Sequence, residues 1–360
     1  MNADTLARLR LIRTRSIGPV SYFQLIQRFG SAEAALAAIP DLARRGGGTA
    51  PRIPSPAEIE HEAERVASLG ARYLICGDPD YPALLTQVDT APPALIVAGD
   101  VALANRPSVA MVGARNASAA AVRFARMLAH GLAEQGLVVV SGLARGIDTA
   151  AHEGAIERAT VGVIAGGIDI VYPPENDRLQ HAIARQGLLV AEQPPGTEPR
   201  ARHFPYRNRI IAGMAQGTVV VEAAPKSGSL ITARLAAEFG RDVMAVPGSP
   251  LDPRAQGCNM LIRDGATLIQ SVDDVIEMLQ PFGRDRVAVP RTLFEAAANS
   301  DDAAPRDRRA VIDLLGPSPV AVDELLRQSG LDSALVQTVL LEFELAGKID
   351  RHAGGRVSLR

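Results

Sequence analysis

Between residues 108 and 246 the chain alternates short apolar runs with longer segments of helical period, and few folds tolerate that pattern. The runs at 109–112, 138–141, 161–165, 188–191, 219–221 and 243–246 are Val-, Ile-, Leu- and Ala-rich and too short for helices. Helical patterns fill 119–134, 149–157 and 177–186, and the stretch 203–233 adds a helix, a strand and the start of another helix. A strand with no polar alternation must be covered on both faces, and connections of ten or more residues return the chain parallel to itself. The expectation is therefore an α/β fold, a Rossmann-like, doubly wound, mostly parallel sheet over residues 76–280.

The flanks have a different texture. Residues 1–75 read as a helical, sterile-alpha-motif-like module with helices near 6–12, 20–29, 32–39 and 58–69. Ser31 is placed as an N-cap, and the Gly- and Pro-rich stretch 44–56 as a loop inside or beside the bundle. The segment SIGPVSYFQLIQRFGS is similar to the Gly-containing turns of helix-hairpin-helix and sterile-alpha-motif modules. A linker is expected over 281–306. Beyond it, helical patterns at 308–315, 322–328 and 333–345, then a strand pair around Gly354-Gly355, predict a winged-helix domain at 307–360.

Composition narrows the function classes. No run approaches the roughly 18 apolar residues that span a membrane, and the opening LARLRLIRTR lacks a signal-peptide core, so a cytoplasmic protein with no membrane partner is expected. Two cysteines, Cys76 and Cys258, indicate neither a disulfide framework nor a cysteine zinc site. A net charge of −2 means that any site for a polyanion is a local patch.

Such a patch is visible at the strand ends, where an open parallel sheet binds its ligands. The first end carries Gly113 and Arg115, with Ser118 as a candidate N-cap; the second carries Ser141, Gly142, Arg145 and Gly146. Arg207-Asn208-Arg209 opens an apolar helical run after Pro205, and no carboxylate stands between Arg200 and Val221. Lys226-Ser227-Gly228-Ser229 then feeds another helix, a place where free backbone N–H groups and the helix dipole favour an anion. Taken singly, each Gly-rich loop is a tight turn; together they put arginines at three successive loop positions, with a lysine beside hydroxyls.

Other chemistries are less well served. There is no G-x-G-x-x-G or G-x-x-x-x-G-K-[ST] fingerprint, so no nucleotide cofactor is indicated. Asp148 and His152 share a helix face but are too few for a metal cage, and Asp148 reads as a helix N-cap. Glu192 and Glu222 stand at strand ends as carboxylates that either catalyse or tie loops together. Phe204 and Tyr206 flank Pro205 as core residues or as site aromatics.

The motifs VGAR (112–115), SGLARGID (141–148), GGID (166–169), FPYRNRIIAG (204–213), SGSLITA (227–233), AVPG (245–248) and QGCNMLIRDGA (256–266) stand in the order of the DNA-processing protein A (DprA, or Smf) family, which the chain therefore resembles. The resemblance implies a non-enzymatic homodimer that binds single-stranded DNA in natural transformation, protects incoming strands and helps load the RecA recombinase. It also implies that Arg115 contacts DNA and that Arg145, Arg207, Asn208 and Arg209 fall in a positive pocket. Where the family commonly has VGSR, this chain has Ala114, one hydroxyl fewer. Two other readings stand beside it: an enzyme of the related group that cleaves nucleotide phosphoribosyl bonds, whose Pro-Gly-Gly-x-Gly-Thr loop is missing here, and an interaction protein that holds a small nucleotide.

One flank shows an anomaly. The third helix of the expected winged helix, the one that normally enters a DNA groove, has no Lys or Arg between residues 332 and 346. Its charges are Asp332, Glu342 and Glu344, and its Leu335, Val336, Val339, Leu340, Phe343 and Leu345 exceed what one small core uses. The module is expected to bind protein or to cap the sheet domain, not to read DNA.

Overall fold

The computed structural model describes residues 1–279, 303–352 and 354–360. The chain forms two compact units, and they do not follow sequence order: Glu62–Val289 is one, while Met1–His61 and Pro290–Arg360 together make the other.

In chain order, α1 (Ala3–Arg13), α2 (Pro19–Phe29), α3 (Ala32–Arg45) and α4 (Pro56–Ser68) lead to the strands β1 (Arg72–Ile75) and β2 (Ala94–Gly99). The alternation follows as β3 (Ser108–Val112), α5 (Ala119–Glu134), β4 (Val138–Ser141), α6 (Ile147–Ala155), β5 (Thr160–Gly167), α7 (Asp177–Gln186) and β6 (Leu188–Gln193). It continues as α8 (His203–Met214), β7 (Gly217–Val220), α9 (Ser229–Glu238), β8 (Asp242–Ala245), α10 (Gln256–Arg263), β9 (Thr267–Leu268) and α11 (Val272–Leu279). The C-terminal end supplies α12 (Pro305–Ile312), β10 (Val320–Ala321), α13 (Val322–Ser329), α14 (Ser333–Leu345), β11 (Ile349–His352) and β12 (Arg356–Leu359). The linker expected over 281–306 lies almost wholly outside the described residues.

The large sheet has the order β1-β2-β6-β5-β4-β3-β7-β8-β9. Every pair from β6 to β9 is parallel; β2 runs antiparallel to both β1 and β6. The strands β1 and β2 were not anticipated, and they extend the sheet beyond the alternating segment. The crossovers from β3 out to β6 place α5, α6 and α7 on one face, and the return to β7 places α8 and α9 on the other. Double coverage explains why β3, β4, β5 and β7 are buried at every position and could carry apolar side chains on both faces. Direction reverses between β3 and β7, and the crevice outside their carboxyl ends is the place such a sheet offers a ligand.

The second unit is held by α14. Its Val336, Val339, Leu340 and Phe343 sit in the winged-helix core with Val311, Leu325, Ile349 and Val357. Its Leu341 and Leu345 join a different core, with Leu25, Leu36, Ile39 and Leu42 of the N-terminal helices. The apolar excess of the third helix is thus absorbed by the other end of the chain. Around this seam Ser21 Oγ donates to Glu344 at 2.5 Å, Gln24 and Gln337 bond at 2.8 Å, and Arg28 donates to Thr338 Oγ1 at 3.4 Å.

Candidate functional site

The loops after β3, β4 and β5 and the start of α8 enclose a small cavity of about 110 Å³. Its walls include Arg115, Gly142, Arg145, Tyr172, Phe204 and Arg207, so five of the residues singled out in the sequence meet there.

Arg207 is the buried cation of this group, 6 % exposed. It lies on α8, which begins at His203 and takes Pro205 in its first turn, where a missing N–H costs nothing. The helix therefore starts four residues earlier than Arg207, ahead of the proline. The Arg207 guanidinium fills the space a Cβ on residue 142 would need: an ideal Cβ at Gly142 would stand 1.3 Å from Arg207 Nη1. Any side chain at position 142 would displace the guanidinium from this place. Asp148 lies 3.9 Å from Nη1, an ion pair without hydrogen-bond contact, and Arg207 Nε has no partner. Burial lowers Arg207 to about 10, with Arg115 lowering it further and Asp148 opposing, so the guanidinium stays charged at neutral pH. Burial likewise raises Asp148, against the pull of Arg207 and two amides.

Asp148 is not the N-cap that the sequence suggested. Gly146, at φ +77°, precedes the helix, and Asp148 sits in its first turn, reaching back to accept from Gly142 N at 3.2 Å and Ala144 N at 3.4 Å. Between those amides Leu143 is held at φ +54°, a conformation that costs a leucine on the order of 1–3 kcal/mol. Asn176 fixes it further by donating to its carbonyl at 2.8 Å. A strained, multiply tied loop is a pre-set wall. Beneath it His152 is fully buried, its Nδ1 2.7 Å from Thr160 Oγ1, and burial with the nearby Arg207 charge lowers it to about 3, so it is neutral.

The exposed rim is aromatic and cationic. The Arg115 guanidinium carbon stands 5.3 Å from the Phe204 ring centre, that of Arg207 stands 6.0 Å away, and the Tyr172 ring lies 5.6 Å from Phe204 at 55°. Tyr172 and Tyr206 are about half exposed, and Phe204 is half-buried. Phe204 and Tyr206 are therefore surface and cavity residues, not core. Arg145 points to the same mouth but is engaged by Glu175.

Other expected residues do different work. Arg209 donates to Glu192 and to the Thr90 carbonyl, and it is not among the cavity walls. Ser141 Oγ donates to the Met111 carbonyl at 2.6 Å. Gly113 and Gly146 allow close backbone approach, since a Cβ there would meet Ile147 at 2.5 Å and the Ala114 carbonyl oxygen at 2.3 Å respectively. Glu222 accepts from Ser118 N and Oγ, tying the β7 end to the N-cap of α5, which caps Ala121 N as expected. Lys226, Ser227, Gly228 and Ser229 do not reach this cavity. Lys226 and Ser227 line a wider depression of about 830 Å³ with Arg234 and Met260, and Asn208 Nδ2 touches the Gly228 carbonyl at 3.5 Å. Tyr172, Phe204 and Tyr206 are the aromatics near these loops in the sequence; that Phe204 meets two arginines and the Tyr172 ring was not legible there.

The class defined by this fold and site is a Rossmann-like domain with a cationic, aromatic-rimmed cleft at its strand ends, flanked by a helical module and a winged helix. The chain belongs to the DNA recombination-mediator protein A family, whose model matches residues 72–280. A DprA-like N-terminal HHH domain matches residues 2–64 and a DprA winged helix domain residues 295–355. Protein Smf of Escherichia coli is 38 % identical over 293 residues, covering 80 % of this chain and 78 % of that protein. DNA processing protein DprA of Streptococcus pneumoniae is 46 % identical over 201 residues, 55 % of this chain and 71 % of that one. The crystal structure of DNA processing protein A from Streptococcus pneumoniae superposes with a TM-score of 0.66 at 35 % identity, over 78 % of this chain and 99 % of that one. The structure of DNA processing protein A from Helicobacter pylori, described for its unique single-stranded DNA binding mode, gives 0.53 at 29 % identity, over 58 % of this chain and 95 % of that one. Among the described residues no helix is long and apolar enough to cross a membrane.

Proposed function

We propose that this chain binds single-stranded DNA at the strand-end cleft, as a cytoplasmic, non-catalytic homodimer that hands strands to RecA in natural transformation. The observation that carries the binding is the cluster of Arg115, Arg207, Phe204 and Tyr172. Its cations meet phosphates, and its rings offer faces for unstacked bases, without reading base edges. The single-stranded DNA binding mode of the Helicobacter pylori relative supports the ligand class. The family description as a recombination mediator supports the recombinase as partner. Glu192 and Glu222, the carboxylates at strand ends, are engaged by Arg209 and Ser118, which fits the reading that they tie loops together.

The test is a titration of one oligonucleotide, single-stranded and as a duplex, across a salt series. The single strand binds tighter at every salt, with log affinity falling linearly in log salt. Duplex binding of equal or greater strength sinks the proposal, and release of base or phosphate from an added nucleotide sinks its non-catalytic part.

A further inference from the structure

We infer that the winged helix of this chain is a protein-binding module whose partner is the chain's own N-terminal helical module, seated on the turn Gly46-Gly47-Gly48. This goes beyond the strand-end cleft, which lies in the other unit.

The seat is built for a helix backbone. An ideal Cβ at Gly46 would stand 2.2 Å from the Glu342 carbonyl oxygen and 2.6 Å from its carbonyl carbon. One at Gly48 would stand 2.4 Å from the Ala346 carbonyl oxygen and 2.8 Å from its Cα. Gly46 has φ −68°, which any residue adopts, so its lack of a side chain answers to the approach of α14 and not to local geometry. A Gly-rich stretch that looks like a plain loop is thus shaped by residues some 300 positions away.

The helix is equally committed. Leu341 and Leu345 lie in the N-terminal core, and the opposite side of α14 fills the winged-helix core, so it has one face for each end of the chain. Its two carboxylates are neutralised in place. Glu342 takes both the Nε and Nη2 of Arg308, and Glu344 takes Arg351 Nε at 2.7 Å and Ser21 Oγ. The wing's Lys348 lies over the Phe343 ring, 5.8 Å from its centre. A helix that carries carboxylates, has no basic residue and is covered on both sides presents nothing to a DNA groove. Complementarity here is between the two ends of one chain: apolar leucines into an apolar core, a carboxylate onto a hydroxyl, a helix backbone onto glycines.

The test uses the full chain with Gly46→Ala and Gly48→Ala together, read by amide hydrogen exchange and by DNA titration. The two methyl groups wedge the seam, so amides of α2, α3 and the last turns of α14 exchange about tenfold faster, while those of α5 and β4 do not change. Affinities for single-stranded and duplex DNA stay as in the unaltered chain. Unchanged exchange at both sides of the seam overturns the inference, and so does a tenfold gain in duplex affinity, which would mean that the seat masks a DNA reader. A second variant guards against simple misfolding of the first. With Gln24→Cys and Gln337→Cys, thiol crosslinking links the two ends within one chain. Links found only between chains, or none at all, contradict an intramolecular partner.

Discussion

The strand-end cleft and the third helix of the winged helix are the two places where folds of these types meet nucleic acid, and they are built in opposite ways. In the cleft, Arg207 is buried with an unpartnered Nε and a carboxylate held at 3.9 Å, and Arg115 stands exposed above it. On α14 the carboxylates are fully engaged and the apolar faces are both covered. The first keeps a buried cation only loosely paired; the second has its carboxylates and both apolar faces engaged from within the chain. Fold class identifies both surfaces, but only the state of their hydrogen bonds and charges distinguishes a site from a seam.

The largest expected effect separates two arginines of one tripeptide. Arg207→Ala removes the buried cation and leaves Asp148 without its countercharge. Affinity for single-stranded DNA falls by about 3 kcal/mol or more, and the sheet unit loses stability as well. Arg209→Ala removes the contacts to Glu192 and to the Thr90 carbonyl instead, so thermal stability falls while affinity measured below the melting range holds. Equal losses of affinity in the two variants would erase the distinction between them.

Arg115→Ala comes next. It removes an exposed charge and its contact with Phe204, for a loss of about 1–3 kcal/mol in affinity by titration and no change in melting temperature. A marked drop in stability would make Arg115 a structural residue. The smallest effect belongs to the wing: Lys348→Ala with Arg356→Ala changes affinity for single-stranded DNA by less than about twofold, since charges that are not part of the cleft contribute little through screened solvent.

The sheet, its strand ends and the winged helix were legible because period and apolar burial are local signals: 109–112 and 138–141 read as strands and are strands. The strands β1 and β2 were missed, although β2 reads Ala-Leu-Ile-Val-Ala-Gly, because they lie outside the strand–helix alternation and pair antiparallel at the sheet's edge. Arg207 and Arg209 look alike in sequence. Two residues apart on a helix they face nearly opposite ways, so both could not line one cleft, but only tertiary structure decides which does. The same holds for α14. Its surplus of apolar residues was evident and pointed to a protein contact, whereas its partner, in residues 21–48, is fixed by packing that no local pattern records.

The most direct measurement is the affinity for a single-stranded oligonucleotide of a chain ending near residue 282, compared with the full chain at the same salt. With the cleft intact and the winged helix gone, the shortened chain retains most of its affinity, within about threefold. If it remains folded, with unchanged oligomeric state, and no longer binds, then the winged helix carries the DNA and the strand-end cleft does not.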